Sequence, residues 1–285
     1  MAEWQGIDVS RYQGAIDWKR VKAAGKQFAF IRLGYCDNDG RIELDPTFKQ
    51  NMKEAEAAGI APGVYLYSYA NTTEAAQRAA EDTISLIASE RVTYPVVLDL
   101  EDALYRGLSN EENTAIAKAY LSEIEAQKYY AMLYTNTAFA REHLNMPELS
   151  RFDLWISDWR GSVGYPGSYG IWQYTNKGRV DGIGTDVDLD VSYRDYVRII
   201  QNAGLNHLSE QPERWQILIY SFQDRNRALE VSDAFQILGL YSEVRAREDA
   251  WQIVMYSFRE EARAREISKA ITELGFYNEV QPFVV

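Results

Sequence analysis

Strand-like and helix-like patterns of apolar residues alternate along the first 200 residues of the chain. Short apolar runs such as "FAFIRLGY" and "GVYLYSYA" are typical of buried strands. The first of them leads to "DPTFKQNMKEAEAAG", where Asp45 and Pro46 are helix-start signals and Gly59 is a stop signal. Alternation of this kind predicts βαβ units and an α/β fold.

Eight strand candidates follow one another in this region, and the later ones have shorter or irregular connections. They are "GIDVS", "FAFIRLGY", "GVYLYSYA", "YPVVLDLE", "AMLYTN", "LWISDW", "GIWQYT" and "VDLDVS". Eight strands over this length predict an irregular, TIM-like (β/α)-barrel for residues 1–200.

The pattern changes after residue 200. Residues 201–213 are polar and contain Gly and Pro, which predicts a linker. Beyond it, residues 214–249 and 250–285 repeat each other, with 16 of 36 aligned positions identical. Each repeat has a strand, helix, strand pattern and could not bury its apolar face alone. Two together predict a small α+β ferredoxin-like domain over residues 214–285, made of two βαβ repeats.

Composition and charge narrow the function classes. A net charge of −12 argues against a nucleic-acid partner, because phosphate binding needs clustered Lys and Arg. One cysteine, Cys36, and two histidines predict neither an internal disulfide nor a His-rich metal site. The chain begins without a basic-then-apolar signal and has no apolar run of membrane-spanning length. We therefore expect synthesis in the cytoplasm and no membrane partner.

Three carboxylates crowd into the segment "VVLDLED", directly behind an apolar run. The active site of a β/α barrel lies at the carboxyl ends of its strands, so acids there indicate chemistry. Asp99 and Glu101 are two residues apart and share one face of a strand, whereas Asp102 points to the other side, where we expect it to matter little. The spacing alone leaves a solvated charged turn as the alternative.

Further acids fall on the first and last predicted strands, which are neighbours in a closed barrel. Asp8 lies near the end of the first, and Asp188 and Asp190 lie in the last. Convergence with Asp99 and Glu101 would raise the pKa of one carboxyl and leave another ionised, as an acid–base site requires.

Aromatic residues surround these acids and could pack against the C–H faces of sugar rings while sugar hydroxyls keep their hydrogen bonds. Singly, each is more often core filling, but together with the carboxylates they favour a carbohydrate cleft. The candidate substrate-binding residues are Tyr65, Tyr67, Tyr134, Trp155, Trp159 and Trp172.

In this order, the segments "GIDVSRYQGAIDW", "FAFIRLGY", "GVYLYSYA", "PVVLDLED", "LWISDW", "IWQYT" and "VDLDV" resemble glycoside hydrolase family 25, the lysozymes that cleave bacterial peptidoglycan. The resemblance implies that Glu101 is the general acid and that Asp99 positions or stabilises the developing positive charge, with Asp8 and Asp188 completing the acidic cleft. It implies cleavage between N-acetylmuramic acid and N-acetylglucosamine, without cofactor or metal. Asp190 stands where the family commonly has an amide, which leaves open whether Asp188 or Asp190 faces the cleft.

The repeats, with "YSF" strands and a later "LG-x-Y-x-EV", are similar to sporulation-related (SPOR) domains, which bind peptidoglycan glycan strands. We therefore expect residues 214–285 to bind the wall, with homodimerisation as the alternative. The whole chain looks like a phage endolysin that acts on the bacterial wall after release from the host cytoplasm through a holin lesion. A bacterial autolysin and a catalytically silent glycan-binding protein are the alternatives.

Overall fold

The computed structural model of the chain describes residues 3–208, 214–247, 250–258 and 260–283. The chain divides into two compact units, Met1–Ser209 and Glu210–Val285. The strands of the first unit are β1 Trp4–Val9, β2 Phe28–Cys36, β3 Ile42–Leu44, β4 Ala61–Ser68, β5 Val96–Asp99, β6 Ala131–Asn136, β7 Asp153–Ser157, β8 Ile171–Gly178 and β9 Val187–Ser192. Its helices are α1 Trp18–Ala23, α2 Phe48–Ala57, α3 Thr73–Ile87, α4 Asn110–Ala126, α5 Thr137–Glu142 and α6 Tyr196–Asn202.

Eight of these strands form a closed barrel in the order β1-β9-β8-β7-β6-β5-β4-β2, and the pairing of β1 with β2 completes the ring. All eight correspond to the strands that the sequence predicts, so the barrel is confirmed. The short strand β3 pairs with the C-terminal end of β2 and lies outside the ring.

Strand β9 departs from a regular β/α barrel because it runs antiparallel to both of its neighbours. Residues 179–186 join β8 to β9 directly, without a helix. A short connection can return the chain only in the opposite direction, whereas a parallel neighbour needs a crossover of a dozen or more residues. The short connection before β9, which can be read from the sequence, is therefore the signal for the reversed direction of this strand.

The barrel buries apolar side chains in two layers. Inside the ring, Phe28, Phe30, Trp155 and Ile171 form one cluster, which Tyr196 of α6 also joins. The outward faces of the strands pack against the surrounding helices in a second, larger cluster. Successive residues of a strand alternate between these layers, and this decides which side chains reach the cleft.

The second unit is a four-stranded antiparallel sheet in the order β11-β12-β10-β13 with two helices. Ile217, Phe222 and Ile253 are buried against the helices, as expected for core positions, and Phe258 packs beside them. Equivalent glycines after the two helices, Gly239 and Gly275, have φ of 79° and 88°. The elements are β10 Arg214–Phe222, α7 Arg225–Ile237, β11 Ser242–Arg247, β12 Ala250–Phe258, α8 Glu261–Glu273 and β13 Asn278–Phe283.

The predicted linker 201–213 begins too early. Gln201 and Asn202 complete α6, and Asn206 is buried in the first unit. Its side chain accepts from the Tyr130 backbone N–H at 2.7 Å and donates to two backbone carbonyls, those of Val92 at 3.1 Å and Tyr94 at 2.9 Å. Residues 201–208 therefore belong to the barrel, and residues 209–213 lie outside the described residues.

Candidate active site

Asp8 and Asp188 lie directly opposite each other, because β1 and β9 pair in antiparallel register. Asp8 is 6% exposed, and its burial, with the nearby charges of Asp188 and Asp190, raises its pKa well above the usual value. Burial also raises the pKa of Asp188 to about 6, while a hydrogen bond with Asp8 opposes that rise. The two carboxyls therefore act as a pair that favours one shared proton.

Asp190 lies one layer deeper than Asp188 on the same face of β9, opposite Gly6. It is fully buried, and its Oδ1 accepts a hydrogen bond from Trp155 Nε1 at 2.9 Å. Burial raises its pKa, so that the neutral acid is favoured. Asp188 therefore adjoins Asp8, and Asp190 supports the floor of the barrel.

Asp99 is the last residue of β5, and Glu101 follows just beyond the strand. Asp99 is 6% exposed, and its Oδ1 has no hydrogen-bond partner among the described residues. Burial, followed by the charge of Glu101, raises the pKa of Asp99, and Arg32 opposes that rise. The buried carboxyl thus has an oxygen that a bound substrate could engage.

Glu101 is held by Asn136, whose Nδ2 donates to Oε2 of the glutamate at 3.2 Å. Burial raises the pKa of Glu101, and this hydrogen bond partly opposes the rise. Because Oε2 accepts a hydrogen bond, the other carboxyl oxygen is the natural position for a proton. Glu101 therefore has the environment of a general acid.

Gln173 of β8 joins the acids to the aromatic side chains and was not among the predicted site residues. Its Nε2 donates to Asp8 Oδ2 at 2.7 Å. Its Oε1 accepts from Tyr134 Oη at 3.1 Å and from Trp159 Nε1 at 3.2 Å. An indole N–H is only a donor, so Trp159 fixes which end of the amide faces Asp8. The alternation of inward and outward residues along β8 could have identified Gln173, because it lies on the same inward face as Ile171.

Trp155 and Trp172 do not lie where the sequence predicts them. Trp155 is 1% exposed and stacks on Phe30 inside the barrel with ring centroids 4.3 Å apart, so it supports the site from below and cannot contact a sugar. Trp172 packs against the outer layer, and its Nε1 donates to the Asp158 carbonyl at 2.9 Å. Large apolar residues suit either face of a barrel strand, which is why composition alone misplaced them.

The other predicted aromatic residues lie closer to the acids. Tyr65 and Tyr134 are 9% and 6% exposed and form part of the interior cluster, where they contact Trp155 edge-on. Tyr67 is half-buried, and Trp159 is 53% exposed. Of these four residues, Trp159 and Tyr67 therefore have the most exposed surface for a ligand.

Asp102 has more contacts than the sequence suggests. It lies beyond the end of β5, and its Oδ1 accepts from the Leu104 N–H at 2.9 Å at the start of a short 3-10 helix. Its Oδ2 accepts from Tyr67 Oη at 2.9 Å. The expectation that Asp102 points to an uninvolved face of the strand is therefore wrong, since it holds a candidate substrate-binding tyrosine.

A cavity of about 450 Å³ adjoins Glu101. The exposed indole of Trp159 forms part of its wall. A larger cavity of about 760 Å³ lies between α1, the end of α2 and residues 180–184, and its lining includes none of the four candidate carboxylates. Of these two cavities, the smaller is therefore the one that Glu101 lines.

A closed β/α barrel with a buried carboxylate group beside an aromatic-walled cavity is typical of a glycoside hydrolase. The family model for glycosyl hydrolases family 25 matches residues 7–183. The chain therefore belongs to this family, and its barrel is a glycoside hydrolase domain.

Several characterised proteins are similar to the barrel part of the chain. Lysozyme M1 of Streptomyces globisporus is 31% identical over 202 residues, covering 65% of this chain and 66% of that protein. The modular autolysin LytC of Streptococcus pneumoniae, solved with a synthetic peptidoglycan ligand, has a TM-score of 0.59 and 27% identity, covering 67% of this chain and 47% of that one. The CTP1L endolysin has a TM-score of 0.58 and 26% identity, with 70% of each chain covered. The chain thus spans about half to two thirds of the length of these relatives.

Proposed function

We propose that this protein is a peptidoglycan hydrolase, a lysozyme that cleaves the β-1,4 bond between N-acetylmuramic acid and N-acetylglucosamine. The observation that carries the proposal is the position of Glu101, a half-buried acid at a barrel strand end that lines a cavity in a family 25 domain. The relatives named as lysozyme, autolysin and endolysin support the same activity.

Glu101 is the general acid in this proposal. Burial raises its pKa and so favours the protonated form that can donate to the glycosidic oxygen. The Asn136 amide fixes the carboxyl plane through Oε2 and leaves the second oxygen to carry the proton toward the cavity. The proton then passes to the leaving sugar as the glycosidic bond breaks.

The aspartates stabilise the positive charge that develops on the other sugar. Glycosidases form an oxocarbenium-like transition state beside a second carboxylate. Among the described residues Asp99 Oδ1 has no hydrogen-bond partner and is free for this role, and positive charge at the substrate would favour the ionised form of Asp99. Gln173 holds Asp8, and Asp188 shares its proton, so this pair completes the negative side of the cleft.

Digestion of purified peptidoglycan, followed by mass spectrometry of the new ends, tests the activity. We expect reducing-end muramic acid. Reducing-end glucosamine or free peptide would replace the assignment with another hydrolase. Tight binding of glycan without any new ends would favour the catalytically silent glycan-binding protein.

The proposed mechanism uses carboxyl groups alone, so activity should be unchanged in excess chelator. The measurement is the rate of peptidoglycan solubilisation with and without EDTA. Loss of activity that returns on addition of a divalent ion would contradict the mechanism.

For the second unit, a ferredoxin-like, SPOR-like wall-binding domain is the proposal that its repeats support. The core side chains of the sheet pack on the helices, and the side chains that alternate with them lie on the opposite face. On that face Arg247 lies over the Tyr220 ring at 4.7 Å, and Tyr220 Oη donates to Glu279 at 3.1 Å. An aromatic ring among polar side chains suits glycan stacking. Dimerisation through this unit is the alternative, and light scattering distinguishes the two.

A phage endolysin that reaches the wall after holin action is the cellular role we propose, with a bacterial autolysin as the second candidate. The likeness to CTP1L supports the first, and the likeness to LytC supports the second. No helix within the described residues is long and apolar enough to cross a membrane. Expression in a sensitive host with and without a holin separates the candidates, since an endolysin should lyse only with the holin.

A further inference from the structure

The cavity beside Glu101 has a charged wall in addition to its aromatic one. Arg141 and Glu142, in the last turn of α5, line it together with Asp158 and Arg160. Asp158 and Arg160 neutralise each other through two hydrogen bonds of 2.7 Å, and the Gly164 N–H donates to the same carboxylate. These two charges are therefore already committed within the protein.

Arg141 and Glu142 differ from that pair. Both are exposed, and within residues 3–208 neither side chain has an ion pair or hydrogen bond. Arg32, near the opposite acids, is bound to Asp45 through contacts of 2.9 and 2.7 Å and is not available to a ligand. The cavity thus offers one uncommitted positive and one uncommitted negative group beside the candidate acid.

Helix α5 fixes the position of these charges relative to Glu101. Asn136 accepts the Phe139 N–H at 2.9 Å as the cap of α5, and the same side chain donates to Glu101. Arg141 is five residues further along, about 7 Å along the helix axis at 1.5 Å per residue. A ligand bound at the end of α5 therefore lies at a fixed distance from Glu101.

A glycan backbone of N-acetylated sugars offers hydroxyl and acetamide groups, which require no ion pair. The charged substituents of peptidoglycan are the peptides attached to its muramic acid residues, which carry both carboxylates and amines. We propose that Arg141 and Glu142 bind this peptide, with the guanidinium on a carboxylate and the glutamate on an amine, while the glycan lies over Trp159. The inference rests on the proposed function and adds a preference for peptide-bearing glycan.

The test compares soluble peptidoglycan fragments that carry their peptides with the same fragments after an amidase has removed the peptides. The lactyl carboxylate that this hydrolysis frees on each muramic acid is then converted to a methylamide, so that the stripped glycan carries no charge. For Arg141→Gln we expect KM on the peptide-bearing fragments to rise about fivefold, as for loss of an exposed ion pair, with kcat unchanged. On the stripped fragments KM should equal that of the unmodified protein. Glu142→Gln should give a similar rise, which disappears when the peptide amines are acetylated.

Arg198→Gln is the matched control, because Arg198 is an exposed arginine of α6 outside the cavity lining and its replacement changes the net charge equally. It should leave KM unchanged on both substrates. An equal rise for Arg141→Gln on both substrates, or no rise on either, would overturn the peptide site while leaving the muramidase assignment intact. Failure of the unmodified protein to cleave either substrate would remove both.

Discussion

Several acidic side chains of the candidate site are buried, so the protonation state of a single residue affects both activity and stability. Asp8, Asp99, Asp188 and Asp190 all have raised pKa values, and burial is the largest cause in each. An environment that favours neutral acids raises the pKa of Glu101 and so favours its protonated form, but it destabilises the fold whenever the buried acids ionise. Catalytic capability and stability therefore oppose each other at these positions.

Glu101→Gln should keep the fold and lose most of the activity. The amide is nearly the same shape and can still accept from Asn136, but it cannot donate the acid proton. General acid catalysis contributes about a hundred- to ten-thousand-fold, and a loss of that size in kcat on peptidoglycan is expected. Near-normal turnover with an unchanged circular dichroism spectrum would exclude Glu101 from the acid role.

Asp188→Asn should stabilise the protein at neutral pH. The folded-state pKa of Asp188 is about 6 against a usual 3.8, so the folded state binds the proton more tightly than the unfolded chain. That stabilisation is complete below about pH 4 and is lost as the pH rises through 6. Because asparagine does not ionise, the variant should exceed the natural protein by about 1–3 kcal/mol at pH 7, with a difference that shrinks toward pH 4.

Thermal unfolding between pH 4 and pH 7 measures this difference. Asp186→Asn is the control, since the Asp186 side chain is exposed and forms a surface ion pair with Arg179, and such pairs contribute little to stability. A stability difference for Asp188→Asn that does not vary with pH would contradict the electrostatic origin.

At the scale of elements, the start of the short helix α5 fixes the position of Glu101 relative to strand β6. Asn136 ends β6, caps α5 and holds Glu101, so one residue fixes three parts of the site. The 3-10 helix after β5 has a similar role, since Asp102 caps it and also holds Tyr67. Local capping rules thus determine the orientation of functional side chains.

Asn136→Asp separates the two roles of this residue. Aspartate is an equally good helix cap, so stability should change little. It cannot donate to Glu101, and its negative charge would raise the pKa of the glutamate. Because the acid must be protonated, the alkaline limb of the pH–kcat/KM profile should move to higher pH. Asn136→Ser keeps a helix cap without the charge and should move the alkaline limb less. An unchanged alkaline limb in Asn136→Asp would argue against the hydrogen bond between residue 136 and Glu101.

The sequence predicts the positions of the strands and of the acidic residues better than it predicts the direction of a strand or the face on which a side chain lies. Apolar runs identify all eight barrel strands, and the carboxylates stand out because charge is rare at buried strand ends. Alternation along a strand carries no direction, so the reversal of β9 could have been predicted only from the short connection that precedes it. Trp155 and Trp172 were misplaced since a large apolar residue satisfies either layer, whereas Gln173 could have been found as the polar residue on an inward face.

At the scale of the whole molecule, the chain joins a hydrolase barrel to a repeat unit with its own core. The second unit carries 13 acidic and 9 basic residues over 210–285, without an acid cluster like that of the barrel. We expect it to contribute binding and no chemistry. Linking a weak binder to an enzyme raises the effective concentration of the enzyme at its polymer.

Truncation after residue 208 should therefore weaken lysis of whole cells far more than cleavage of soluble fragments. Turbidity loss of cells and release of reducing ends from fragments are the two measurements. A fluorescent fusion of residues 210–285 should decorate host walls. Failure to decorate walls, combined with a dimer by light scattering, would favour an assembly module.

The pairing of β1 with β9 also means that the candidate site is incomplete until late in the synthesis of the chain. Trp4 pairs with Ser192, and Asp8 with Asp188, so the site joins residues separated by almost the whole barrel. A ribosome delivers the N-terminal strand first, and contacts of such long sequence separation form slowly. A nascent chain that has not yet released β9 has no Asp8–Asp188 pair and no closed ring. The Asp8–Asp188 pair of the candidate site therefore forms only once the whole barrel has been translated.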